Sequence, residues 1–207
     1  MTDLILALDC SLRLTNVAVS SGGGVLVSER LDIGRRQAGE LPLIVERVLS
    51  DAGFAFRDIG LLAVTNGPGY FTGIRVGVSY AAALAYGLGV RVVPVSTLHM
   101  LAYSHTLRLT PVLAVVYAGQ KRVYAASFGC ICDLPAGEYG EDAIGDWLSH
   151  HEDVAIISDD PQKIFDVPGP VQRILPDAAV VARIARCSGE MAVSPLALKV
   201  FYHRNPG

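Results

Sequence analysis

The sequence predicts an α/β protein of two related lobes with a cleft between them, and three observations predict it. Apolar runs of strand length alternate with stretches of helical periodicity, a glycine-rich loop joins a strand to a helix at residues 66–73, and the strand–turn–strand pattern restarts around Thr110-Pro111. The 207 residues are 51% hydrophobic and 18% charged, which excludes disorder, collagen and coiled coil and suits one or two buried cores. With 17 Lys and Arg against 20 Asp and Glu the net charge is −3, so the chain has no general basic field for a phosphate backbone. A nucleic acid would need a partner to hold most of it.

Residues 4–8, 17–19 and 25–27 are short apolar runs, the last two separated by Gly22-Gly23-Gly24, and read as a three-stranded meander. Leu41, Ile44, Val45, Val48, Leu49 and Ala52 then follow helical spacing over residues 40–52, with Pro42 in the first turn and Gly53 as the stop. Residues 61–64 read as a buried strand, 74–88 as a second helix ended by Gly87 and Gly89, 90–95 as a strand, and Ser96 caps a helix through Tyr103. After the restart, 112–116 and 123–128 are strands around a polar turn, 154–157 is a strand, and 177–187 and 195–202 are helices. The expected domains are 1–107 and a smaller second lobe, 108–207.

The charge-free stretch 76–90 has 15 residues, short of the roughly 18 that cross a bilayer. At the N-terminus the apolar run stops at Asp9 with no basic flank before it, so a cytoplasmic protein is expected. Cys10, Cys130, Cys132 and Cys187 are too few and scattered for a disulfide framework, and Cys130-x-Cys132 lacks the CxxC spacing of zinc or redox sites.

Glycines in the 66–73 loop would let backbone amides approach a phosphate at the helix start, yet neither GxxxxGK[ST] nor GxGxxG is present. The alternative is a tight turn that packs helix on strand. Asp9 ends the first strand, where a carboxylate could hold a metal-bound phosphate with Ser11 and Asn16 as donors, or could simply tie down its own turn. The second-lobe hairpin, residues 117–122, offers no matching carboxylate. His99, His105, His150, His151 and His203 form neither HExxH nor HxxxH, and no GxSxG elbow exists, so neither a catalytic nor a metal residue is assigned. The helix 74–88 is apolar on both faces, with Ile74, Val78, Ala81, Ala85 and Leu88 opposite Val76, Tyr80, Ala83, Leu84 and Gly87. Such a helix is either central or covered from outside by another protein.

The string Gly67-Pro68-Gly69-Tyr70-Phe71-Thr72-Gly73-Ile74-Arg75-Val76-Gly77, with Val95-Ser96-Thr97-Leu98 and the opening Leu6-Ala7-Leu8-Asp9-Cys10-Ser11, resembles the bacterial TsaB family, formerly called YeaZ. The resemblance implies the actin-like, sugar-kinase and Hsp70-like ATPase (ribonuclease H-like) fold, with the second lobe degenerate. It implies a non-catalytic scaffold or activator of the transferase TsaD, acting with TsaD and the ATPase TsaE to make threonylcarbamoyladenosine next to the anticodon of certain tRNAs. On this resemblance no cofactor binds tightly, ATP is used by the complex, tRNA is met only through it, and no membrane is involved. Asp9, Ser11, Gly67, Gly69, Thr72 and Gly73 then form a vestigial phosphate loop. The partner face combines Leu41, Val45 and Val48 with Val76, Tyr80, Ala83, Leu84 and Gly87, and a homodimer through the same patch is expected in isolation.

Three positions depart from the family pattern. Tyr70 stands where the family has Ser, Gln37-Ala38-Gly39-Glu40 replaces a His-Ser/Thr-containing stretch, and the hairpin keeps only Val123-Tyr124 of D-A-R-x-x-E-V-Y; Tyr202-His203-Arg204 resembles the closing Tyr-x-Arg. The competing function is a small-molecule kinase or ATPase of the same fold, which needs Asp9 and a second-lobe carboxylate to converge on magnesium-ATP. A metallopeptidase has neither its ligands nor its base here.

Overall fold

The computed structural model describes residues 3–105, 111–129 and 134–201. They form two compact units. Unit 1 opens with three strands, β1 (Leu4–Asp9), β2 (Thr15–Ser21) and β3 (Gly24–Leu31), then α1 (Gln37–Asp51), β4 (Ile59–Gly67), α2 (Phe71–Leu88) and β5 (Arg91–Ser96). Its five-stranded sheet has the order β3-β2-β1-β4-β5, antiparallel from β1 outward to β3 and parallel from β1 through β4 to β5. The central strand β1 is buried along its whole length, which is why it reads as a continuous apolar run, whereas the edge strand β3 alternates between exposed and half-buried.

In the central strand, side chains alternate between faces. Leu4, Leu6 and Leu8 pack with Leu41, Ile44, Val45, Val48 and Leu49 of α1 and with Ile74, Val78, Ala81 and Ala85 of α2. Each helix thus turns its apolar stripe to its own sheet. α1 starts three residues before the expected Glu40, because the buried Gln37 side chain is anchored to Thr15 Oγ1 at 2.9 Å. Pro42 consequently lies inside the helix, where its missing N–H would have served the carbonyl of Ala38; Ala38 is exposed, so water can take that bond. α2 ends at Gly89, whose φ of +67 closes the helix with its N–H on Ala85 and Tyr86 carbonyls.

α3 (Thr97–Ser104) leads into unit 2, whose strands are β6 (Val112–Gly119), β7 (Arg122–Phe128), β8 (Gly137–Gly140), β9 (Ala155–Ser158) and β10 (Val171–Arg173), with α4 (Glu141–Ser149) between β8 and β9. The order β8-β7-β6-β9-β10 and the strand senses repeat those of unit 1 with β6 in the place of β1. The duplication expected from the restart is therefore present, and so is the degeneracy: where unit 1 has the 18-residue α2, unit 2 has only the 3-10 turn Pro161–Lys163. The hairpin turn falls on Gln120 and Lys121, both at positive φ. Lys121 pairs with Glu141 at 3.2 Å and Arg122 with Glu138.

The units observed differ from the expected 1–107 and 108–207: unit 2 begins at Leu101. Pro176–Phe201 belongs with unit 1, because α5 (Ala178–Cys187) covers the other face of the first sheet. Its Ala178, Val181, Ala182 and Ala185 are buried against β1 and β2, Asp177 caps its first turn through the Ala179 N–H at 2.8 Å, and Arg186 pairs with Asp3 at 2.7 Å. The expected helix at 195–202 is only a 3-10 turn, Pro195–Ala197. Beyond it the chain is held extended, since Lys199 O accepts from Asn66 Nδ2 at 3.2 Å and Phe201 N–H donates to Asn66 O at 2.8 Å. Tyr202, His203, Arg204, Cys130 and Cys132 lie outside the described residues. Among the described residues no helix is long and apolar enough to cross a membrane.

Candidate functional site

β1 and β4 are parallel neighbours in register Leu8↔Val64, so Asp9 at the end of one strand comes beside Thr65 at the end of the other. Asp9 is 0% exposed, and its carboxylate is occupied from within the chain. Oδ1 accepts from Ser11 N–H at 3.0 Å, Ser11 Oγ at 2.6 Å and Thr65 Oγ1 at 2.6 Å, while Oδ2 accepts from Asn16 Nδ2 at 2.9 Å. The network continues outward. Asn16 Oδ1 accepts from Arg30 Nε at 3.0 Å, and Arg30 pairs at 3.3 Å with Asp177, the residue that caps α5. Of the two readings of Asp9, the turn-tying one fits: no carboxylate oxygen faces solvent, where a metal-bound phosphate would have to reach it.

The glycine loop closes over the same place. Tyr70 N–H donates to Ser11 O at 2.7 Å, and a Cβ on Gly69 would collide with that same carbonyl. A Cβ on Gly73 would collide with Cys10 O, and one on Gly77 would sit 3.2 Å from Cys10 Cβ. These glycines let α2 and its loop lie directly on the Cys10-Ser11 backbone, so the room a phosphate would need is filled by the chain itself. Gly67, at φ +121, faces the Phe201 carbonyl 2.6 Å from where its Cβ would be. Of the six residues expected to form a phosphate loop, Asp9, Ser11, Gly69 and Gly73 come together, Gly67 faces the C-terminal segment, and Thr72 stands exposed on the first turn of α2. Burial pushes the thiol of Cys10 far above the usual cysteine range, with the Asp9 charge adding to it and a hydrogen bond to Thr15 opposing.

Thr65, Gln37, Arg30 and Asp177 were not expected at this site. Thr65 was legible only through the β1–β4 register, since nothing in the local sequence ties it to Asp9. Among the described residues no three metal-ligating side chains gather.

On the outer surface, the expected partner residues divide. Leu41 and Val45 are 0% and Val48 1% exposed, so these three belong to the core and cannot meet a partner; α1 spends its apolar stripe on its own sheet. Val76, Tyr80 and Leu84 of α2 are half-buried, and Ala83 and Gly87 are exposed. Val76 and Tyr80, with Ala38, Arg75 and Ser79, line a groove of about 430 Å³ with Leu41 beneath it. The apolar residue that α1 does present outward is Leu43, 61% exposed and unassigned by periodicity because it falls off the stripe. Burial raises the Tyr80 phenol pKa, and the charge of Glu46 raises it further.

Two five-stranded sheets of one topology, the first closed at its strand ends by its own glycine loop, define an α/β protein built from two units of duplicated sheet order. A family model described as TsaD, tRNA N6-adenosine threonylcarbamoyltransferase, matches residues 19–175, and the chain belongs to that family. The TsaB (YeaZ) resemblance read from the motifs also holds. The chain is 34% identical over 126 residues to the tRNA threonylcarbamoyladenosine biosynthesis protein TsaB of Escherichia coli, covering 60% of this chain and 54% of that protein. It is 43% identical over 83 residues to the tRNA N6-adenosine threonylcarbamoyltransferase of Cereibacter sphaeroides, covering 40% of this chain and 22% of that one. The match therefore spans about half of the TsaB relative and under a quarter of the transferase. Its fold matches the crystal structure of an uncharacterized Pseudomonas aeruginosa protein with similarity to the peptidase YeaZ, with a TM-score of 0.84 and 25% identity over 99% of this chain and 100% of that one.

Proposed function

We propose that this chain is a non-catalytic subunit that binds and activates a TsaD transferase in making threonylcarbamoyladenosine next to the anticodon of tRNA. The observation that carries the reading is the closed strand end of unit 1, where the Asp9 carboxylate serves four internal donors and Gly69 and Gly73 lie against the Cys10-Ser11 backbone. A kinase or ATPase of the same fold would need that carboxylate open to magnesium-bound phosphate, which 0% exposure does not favour. In this reading ATP is consumed elsewhere in the complex, TsaE is a further cytoplasmic partner, and tRNA is held mainly by the other subunits.

The docking face is the outer side of α2 with the exposed edge of α1: Val76, Tyr80, Ala83, Leu84 and Gly87, joined by Leu43. Small residues at Ala83 and Gly87 permit close helix approach, and the groove beside Tyr80 receives an apolar side chain. In isolation the same face pairs two copies of the chain.

The test is a calorimetric titration of the full chain with the TsaD of its own organism. Tyr80→Glu introduces a charge at the centre of the apolar face beside Glu46 and should weaken binding by about 2–4 kcal/mol, while Lys121→Glu in unit 2 should leave it unchanged. Wild-type affinity in a folded Tyr80→Glu variant would contradict the face. The transferase family match supports a second reading, in which the chain itself transfers; turnover by the chain without TsaD would favour it.

A further inference from the structure

Residues 193–201 are tied to the strand-to-helix loop of unit 1 by a pairing that no periodicity in the sequence announces. Phe201 N–H donates to Asn66 O at 2.8 Å, and Asn66 Nδ2 donates to Lys199 O at 3.2 Å. In a parallel ladder a residue accepts from the N–H one position after its partner and donates to the carbonyl one position before it. Asn66 makes this pair with Val200, its side-chain amide standing in for the main-chain N–H. It does so where the β4–β5 register shifts, between Thr65↔Val95 and Gly67↔Ser96. Farther back, Val193 exchanges both main-chain bonds with Val92 of β5, at 2.8 and 3.0 Å. The segment is thus a strap that runs from β5 to the base of the glycine loop.

The strap also supports α2. A Cβ on Gly67 would lie 2.6 Å from Phe201 O and 3.6 Å from Ile74 Cδ1, so strap, loop and the buried side of α2 meet at that glycine. Leu198 and Val200 pack against the core that holds Ile74 and Val78, and the 3-10 turn Pro195–Ala197 lies against the helix. Past Gly67 the same loop covers Cys10: Tyr70 N–H holds Ser11 O at 2.7 Å, and Gly73 and Gly77 seat α2 on the Cys10 residue. Strap and cover therefore share the base Asn66-Gly67. Lys199 and Phe201 are exposed and Leu198 and Val200 only half-buried, the sparse packing of a segment that opens locally before its domain unfolds.

We infer that residues 198–201 are a latch that keeps the glycine loop closed over Cys10 and holds the docking helix α2 in its binding position, with Asn66 as the positioning residue. The second half of this inference rests on the docking proposed for α2. Released, the strap leaves the end of β4 unpaired and a gap beside Ile74, and α2 loses the support opposite its outer face. Only the latched population then binds TsaD at full strength, so apparent affinity falls with the latched fraction.

Alkylation of Cys10 in the full chain, followed by peptide mapping over a series of low urea concentrations, tests the latch. Asn66→Ala removes the donor to Lys199 O and should label Cys10 about tenfold faster than wild type. The rate should depend only weakly on urea, because a local opening exposes little surface. Ile44→Val loosens the same core from α1, and any faster labelling there should keep the steep urea dependence of whole-domain unfolding. Val200→Asp places an unpaired charge in the half-buried seat and should release the strap in most molecules, weakening TsaD binding about tenfold while circular dichroism shows the helices kept. Labelling of Asn66→Ala at the wild-type rate, or with the steep urea dependence of Ile44→Val, would overturn the latch. Wild-type TsaD affinity in a folded Val200→Asp protein whose Cys10 labels fast would overturn its hold on α2. The labelling uses no transferase, so it judges the latch by itself, whereas a failure of the docking reading shows separately as wild-type affinity in Tyr80→Glu.

Discussion

Thr65 on β4 donates its hydroxyl to Oδ1 of Asp9 on β1 at 2.6 Å, joining two strand ends 56 residues apart in sequence. With Ser11 and Asn16 as the other donors, the carboxylate is a structural knot that ties β1, β2 and β4 at the carboxyl ends of the parallel strands. Asp9→Asn replaces an all-acceptor group with one that must turn an NH₂ toward one of these donors. The variant should lose about 1–3 kcal/mol of stability, read as a lowered melting temperature, while the folded fraction keeps its docking affinity for TsaD. An Asp9→Asn protein as stable as wild type would contradict the knot.

Gly73 and Gly87 sit on one helix and should respond oppositely to alanine. A Cβ at 73 collides with Cys10 O, and Gly73→Ala should cost about 1–3 kcal/mol through overpacking against a backbone that cannot yield. Nothing lies within 4 Å of a Cβ at 87, so Gly87→Ala should stabilise the helix by about 0.5–1 kcal/mol. Denaturant midpoints of the two variants check both signs.

Cys10 and Cys187 should differ sharply toward alkylation. Burial holds the Cys10 thiol protonated well above neutral pH, whereas Cys187 is exposed. With iodoacetamide at mildly alkaline pH and peptide mapping, Cys187 should be labelled in the native protein and Cys10 only after denaturant is added. Fast native labelling of Cys10 would mean that the glycine loop opens readily.

The first lobe should not fold from its own contiguous sequence. Residues 1–107 lack α5, and without it Ile5, Ala7 and the rest of that sheet face are left uncovered. A 1–107 fragment should aggregate or show no dispersed amide spectrum, and a chain ending at residue 175 should behave likewise. A monomeric, well-dispersed 1–107 fragment would contradict the placement of α5.

Local pattern carried much of the fold. The apolar run of β1, the stripe of α1, the Gly89 stop of α2 and the restart at β6 were all visible as spacing, and the GPGxFTGxRxG string announced the family. What spacing does not carry is which of two partners takes an apolar face. Leu41, Val45 and Val48 look the same whether they meet their own sheet or another protein, and only burial assigns them to the core. The short elements of unit 2 were illegible for a related reason: β8 is four residues with two glycines and β10 is three residues, so pairing within the sheet, and not propensity, makes them strands. Asp9 was visible as a carboxylate at a strand end, but Thr65, the donor that helps make it structural, comes from a strand pairing no local window contains.

The most direct test of the account is the yield of threonylcarbamoyladenosine on tRNA in a reaction reconstituted with TsaD, TsaE, ATP and a supply of the activated threonylcarbamoyl group, with and without this chain. Product should require the chain together with TsaD, persist with Asp9→Asn at matched folded concentration, and fall with Tyr80→Glu in step with lost TsaD binding. Product made by this chain without TsaD, or product abolished by a folded Asp9→Asn and untouched by Tyr80→Glu, would contradict the account.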